Sequence, residues 1–104
     1  VTEPELHAHV VAACEARGLL VYHLDIARRR STPTSVGFPD LVITGPRGTL
    51  FRELKSEPGE LTAPQRHWLE QLRAGGENAA IWRPQNIHTG EISGQLDAIS
   101  RPRP

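Results

Sequence analysis

Leu6, Val10 and Cys14 recur every four residues near the start of the chain, with Val11 and Ala13 beside them. That spacing lays one apolar stripe along a helix of about four turns. Thr2-Glu3-Pro4-Glu5 marks its start: a threonine cap, a proline in the first turn and a glutamate three residues after the cap. Gly18 supplies a left-handed stop. The pattern then shifts to short apolar runs. Residues 19–24 predict a buried strand, residues 40–44 a second and residues 49–55 a third. Gly45-Pro46-Arg47-Gly48 is a turn by composition, so the second and third strands form an antiparallel hairpin. Thr62-Ala63-Pro64-Gln65 repeats the helix-start grammar; Trp68, Leu69 and Leu72 give that helix its apolar face, and Gly75-Gly76 end it. Residues 79–83 predict a fourth strand, closed by Pro84. Short links around the helix make strands three and four parallel, joined by a right-handed crossover.

Two stretches carry weaker signals. Residues 25–36 lose all periodicity, include Arg28-Arg29-Arg30 and a Ser/Thr/Pro cluster, and predict a long mobile loop. Beyond Pro84 the pattern supports only a short helix over 94–100 and a tail. The expected fold is α/β in the order αβββαβ, a mixed four-stranded sheet flanked by helices. It forms one domain over 1–104, with its core over 2–84 and a C-terminal extension over 85–104.

Composition narrows the function classes. Twelve basic and twelve acidic residues give a formal net charge of zero, which argues against a strongly basic nucleic-acid coat protein. No apolar run approaches the ~20 residues of a membrane span, and no N-terminal stretch resembles a signal peptide. The single cysteine, Cys14, excludes an internally disulfide-stapled scaffold, so a reducing, cytoplasmic setting is expected. It falls on the core stripe and reads as a small buried hydrophobe. His7 and His9 are two apart and face different ways; His23, His67 and His88 are scattered. No zinc spacing is present, and neither zinc nor a membrane is an expected partner.

Candidate chemistry gathers on the hairpin. Side chains alternate faces along a strand, so Phe51, Glu53 and Lys55 point one way and Leu50, Arg52 and Leu54 the other. The hairpin brings Asp40 beside Glu53. Two carboxylates in contact are costly unless a cation neutralises them, and a hard divalent cation suits oxygen ligands. Water on such a cation becomes a nucleophile near neutral pH, and Lys55 is placed to orient it or to stabilise charge on a phosphate. The same spacing equally describes an exposed Glu53–Lys55 ion pair of little energetic weight. Glu5 and Gln65 each sit three residues after a threonine, where a capping box places Glu or Gln. Arg52, opposite Glu53, is expected to pair locally.

Gly37-Phe38-Pro39-Asp40-Leu41-Val42-Ile43 followed by Arg52-Glu53-Leu54-Lys55 resembles the PD-(D/E)XK nuclease signature. Gly59-Glu60-Leu61-Thr62-Ala63-Pro64-Gln65, then Trp68-Leu69, Leu72, Gly75-Gly76 and Ile81-Trp82-Arg83-Pro84, is similar to the VRR-NUC branch of that superfamily. The resemblance runs from about Glu5 to Pro84. It implies a restriction-endonuclease-like core and metal-dependent hydrolysis of phosphodiester bonds in DNA. By position it implies Asp40, Glu53 and the backbone carbonyl of Leu54 as ligands of Mg²⁺ or Mn²⁺. Lys55 would be the catalytic lysine. Gln65 would contact the lysine, the water or the substrate phosphate, and Glu5 would complete the metal shell. Small members of this kind imply a homodimer, and phage or mobile-element DNA processing as the setting.

Beside a nuclease site, Arg28, Arg29 and Arg30 become candidate phosphate contacts. With no recognition domain, selection of DNA structure (a junction, flap or nick) is expected over selection of sequence. Two other classes stay open: a DNA- or partner-binding module with little catalysis, and a subunit that cuts only within a larger assembly.

Overall fold

A computed structural model describes residues 1–23 and 34–102. Its elements are α1 (Glu3–Ala16), β1 (Leu20–His23), β2 (Leu41–Gly45), β3 (Gly48–Leu54), α2 (Ala63–Ala74), β4 (Asn78–Trp82), α3 (Gln85–His88) and α4 (Glu91–Ser100). They form one four-stranded sheet in the order β1-β2-β3-β4. β1 and β2 are antiparallel, as are β2 and β3, while β3 and β4 run parallel with α2 between them. The hairpin and the parallel crossover pair fall where turn composition and link length predicted. None of the described helices is long and apolar enough to cross a membrane.

The helix signals act as read. Thr2 accepts from the Glu5 N–H while Glu5 accepts from the Thr2 N–H, a complete capping box. Gly18 ends α1 at φ +68°, where Leu19 N–H reaches back to Cys14 O at 3.0 Å. The left-handed conformation is one that glycine adopts at no steric cost.

The sheet's two faces are covered unequally. α1 and α4 pack on one face, where Leu6, Val10, Leu41, Ile43, Leu54 and Trp82 form the core with Ile92, Leu96 and Ile99. α2 lies on the other face, over the β3–β4 half, and buries Leu69 against it. Phe38 fills the angle beside α2, meeting Trp68 at 5.0 Å and Phe51 at 6.3 Å, both edge to face.

Three expectations need correction. The first strand was read as buried over 19–24, but β1 spans Leu20–His23 at the edge of the sheet. Leu20 is 74% and Tyr22 63% exposed; the buried residue is Leu19, just before the strand. An apolar run reveals strand propensity, yet it cannot tell an edge strand from a central one. The stretch beyond Pro84 is more than an extension. α4 begins at Glu91, before the predicted start, and delivers Ile92, Leu96 and Ile99 to the main core. Gly94 interrupts its propensity, which hid the first turn. Finally, Arg52 is 1% exposed and pairs with no carboxylate among the described residues. The predicted end of the first strand at Leu24, most of the 25–36 loop and the Arg28-Arg29-Arg30 run lie outside the described residues.

Arg52 instead ties β3, β4 and α4 together. It donates to Phe51 O, Asn78 O, Asn78 Oδ1 and Gln95 Oε1 at 2.8–2.9 Å. Its guanidinium lies 5.0 Å from the Trp82 ring centroid, and Trp82 Nε1 donates to the same Gln95 oxygen. Burial lowers its pKa to about 10, with Arg73 adding to the effect, so it stays charged at neutral pH. This network sits directly behind the strand segment that carries Glu53.

Candidate active site

The register places the candidate residues before any side chain is considered. Leu41 pairs with Arg52, so Asp40, one residue earlier, stands opposite Glu53. Alternation then turns Glu53 to the α2 face while Arg52 enters the core. Asp40 Oδ2 accepts from the Leu54 N–H at 2.9 Å. Lys55 N–H bonds in the opposite direction, to Trp82 O on β4. A strand residue's N–H and C=O leave on the same side, so the Leu54 carbonyl is turned toward Asp40.

Glu53 is 3% exposed. Gln65 Nε2 donates to its Oε2 at 3.1 Å, while Oε1 is buried with no hydrogen-bond partner among the described residues. Burial, then the Asp40 carboxyl beside it, pushes Glu53 up to about 8; Lys55 pulls the other way. A buried carboxylate oxygen without a donor, next to a second carboxylate and a turned-in carbonyl, has the chemistry of a hard-cation site. Asp40, Glu53 and Leu54 O are the groups present to hold such an ion.

Gln65 resolves the choice between cap and site by occupying both. Its Oε1 accepts from the Thr62 N–H at 2.9 Å, completing the α2 capping box. Its Nε2 is then free to reach Glu53. One planar amide thus fixes the start of α2 and one carboxylate oxygen. The contact the structure gives its amide beyond the cap is the one to Glu53. The capping signal was legible in sequence; the second contact was not, because it needs α2 laid across β3.

Glu5 behaves differently. Its carboxylate is spent on Thr2, which lowers its pKa through the backbone and hydroxyl hydrogen bonds. No three His, Cys, Asp or Glu side chains converge as a metal cluster among the described residues, Glu5 included. Its role in the structure is capping.

Two positioning features escaped the sequence reading. Gly37 has φ +89°, and a Cβ there would lie 2.5 Å from the Pro64 carbonyl carbon and 2.6 Å from the Gln65 nitrogen. The Asp40 segment is therefore seated directly on the α2 N-terminus. Arg83 donates to Ser56 O and Gly59 O at 2.6 Å, stapling the loop that follows Lys55. A glycine before a strand and an arginine after one are visible in sequence, but the positive φ of the first and the contacts of both are not. Away from the site, burial pushes the Cys14 thiol up to about 11, consistent with a core residue. His7 and His23 meet edge to face at 5.2 Å.

The fold is thus a mixed four-stranded α/β sheet with a carboxylate at the head of one strand and Glu53 and Lys55 at the end of its hairpin partner. Solved structures resemble it. One described as a VRR_NUC domain protein has a TM-score of 0.64 and 21% identity, covering 99% of this chain and 98% of its own. Another, described as a VRR_NUC domain, has a TM-score of 0.66 and 26% identity, covering 88% of this chain and 96% of its own. No family model and no curated protein sequence matches the chain. The chain shares the fold of these VRR_NUC structures, as its motifs implied.

Proposed function

We propose that this domain is a divalent-cation-dependent endonuclease that hydrolyses phosphodiester bonds in DNA and selects DNA structure rather than a long sequence. The observation that carries the reading is the Asp40–Glu53 pair, with Glu53 buried, its Oε1 unpartnered among the described residues, and Lys55 just past the end of β3. The solved VRR_NUC structures support it through the shared fold.

Asp40, Glu53 and the Leu54 carbonyl would hold Mg²⁺ or Mn²⁺. When bound, such a cation supplies charge neutralisation and Lewis acidity at the phosphate. The chain's own residues do the rest. Leu54 N–H fixes the Asp40 carboxylate, and Gln65 fixes that of Glu53. Lys55, which follows β3 and lies close enough to Glu53 to lower its pKa, orients the attacking water and stabilises charge on the phosphate. The water oxygen bonds to phosphorus as the bond to the leaving sugar oxygen breaks, in line. Arg28, Arg29 and Arg30 are assigned phosphate contacts on sequence grounds. A chain of zero net charge has a weak electrostatic footprint, and a homodimer would double it.

The test is cleavage of labelled duplex, single-stranded, nicked, flap and four-way-junction DNA with Mg²⁺, Mn²⁺ or EDTA, beside Lys55→Ala. Metal-dependent cutting that disappears in Lys55→Ala is expected, strongest on one branched substrate. Binding without cutting would replace the reading by that of a DNA-binding module. Cutting that survives Lys55→Ala would refute the site.

A further inference from the structure

The turn over residues 34–37 and the first turns of α2 enclose a groove of about 610 Å³. Val36, Pro64 and Trp68 supply apolar walls, while Thr34, His67 and Gln71 add polar groups. The groove belongs neither to the hydrophobic core nor to the carboxylate pair, yet it shares a wall with the latter. Gly37 rests on the Pro64 and Gln65 backbone, and Phe38 meets the Trp68 ring at 5.0 Å. Asp40 follows Phe38 by two residues, no more than about 7 Å of chain. Gln65, next to Pro64 in the groove wall, holds Glu53. The groove and the candidate active site are thus opposite sides of one packed segment.

We infer that this groove receives an unpaired nucleobase of the DNA strand being cut, beside the scissile phosphate. The inference rests on the nuclease reading and names its substrate class: DNA with a single-stranded arm at the cleavage point. A free base has a flat face, which apolar and aromatic walls accept, and an edge of donors and acceptors. Imidazole, carboxamide and hydroxyl groups among apolar walls match both features. A base inside a duplex cannot reach a concave groove without leaving the stack. Net charge points the same way. With twelve basic and twelve acidic residues, the chain draws little from phosphate neutralisation, and stacking provides affinity that does not depend on charge.

The experiment measures binding without Mg²⁺ or Mn²⁺, so it requires no cutting. Oligonucleotides carry 2-aminopurine, or an abasic site, as the first unpaired nucleotide of an arm; a blunt duplex is the reference. His67 and Gln71 are exposed on α2, so His67→Ala/Gln71→Ala leaves the core intact, which circular dichroism checks. A change in 2-aminopurine emission on binding is expected. The abasic site should lower affinity about tenfold, the scale of one stacked base. The double variant should lower the preference for the arm over blunt duplex by a similar factor, and the two losses should not add. An unchanged preference, equal weakening on both substrates, or no binding to any DNA would overturn the inference. Cutting without arm preference would remove the groove's role and leave the nuclease reading standing. Arm preference in a protein that cuts nothing would do the reverse.

Discussion

Gln65 offers the sharpest test, because one side chain makes two separable contacts. Thr62→Ala removes the hydroxyl that accepts from Gln65 N–H at 3.3 Å and leaves the Glu53 contact in place. Loss of such a cap costs about 1 kcal/mol. Gln65→Ala removes the other half of the box and also the donor to Glu53. That second loss depends on the state of Glu53, whose pKa lies at about 8. Around pH 6.5 the carboxyl is mostly protonated, and a neutral hydrogen bond is worth about 1 kcal/mol. Around pH 9.5 it is ionised, and the same bond is worth about 2–3 kcal/mol.

Gln65→Ala should therefore cost about 2 kcal/mol at the lower pH and about 3–4 kcal/mol at the higher, while Thr62→Ala stays near 1 kcal/mol at both. Urea unfolding of the three proteins in EDTA at the two pH values reads the difference directly. Equal costs for the two variants would mean that the amide gives Glu53 nothing. A Gln65→Ala cost independent of pH would mean that Glu53 does not titrate in this window.

Cation binding should release a proton, because Glu53 holds one below about pH 8 and must lose it to act as a ligand. Calorimetric Mg²⁺ titrations in buffers of different ionisation enthalpy should show nearly one proton released around pH 6.5 and almost none around pH 9.5; release that does not vary with pH would contradict this. The raised pKa has a sign for stability as well: the apo protein should lose about 1.4 kcal/mol per pH unit between the usual carboxylate range and pH 8, then level off. Gly37→Ala should destabilise by at least about 2 kcal/mol, since φ +89° and backbone atoms at 2.5–2.6 Å leave no room for a methyl group. Differential scanning fluorimetry checks it, and an unchanged melting temperature would refute the close seating of the Asp40 segment. Arg52→Ala orphans its acceptors on Phe51, Asn78 and Gln95 and should cost about 3–5 kcal/mol in urea unfolding; a loss below about 1 kcal/mol would show that the network is dispensable.

How much was written in the sequence follows from the range of the interactions involved. Local rules act within four residues. They placed both capping boxes, the Gly18 and Gly76 stops and the two-residue hairpin turn. Strand alternation correctly set Glu53 against Arg52, and the hairpin register put Asp40 opposite Glu53. The motif around Asp40, Glu53 and Lys55 then pointed to the family whose fold the chain has.

Tertiary structure decided what depends on contacts between distant elements. It made β1 an exposed edge, because pairing order is not a property of any one strand. It drew α4 into the core, where Ile92, Leu96 and Ile99 join Leu6, Val10, Leu41 and Leu50 from the first half of the sequence. It gave Gln65 a second contact, to Glu53, beside its cap, while Glu5 caps α1 through Thr2, although the two share the same local grammar. The physical reason is the same in each case. A side chain's local bonds follow from its neighbours along the chain, but its burial, charge state and remaining partners follow from what is packed against it.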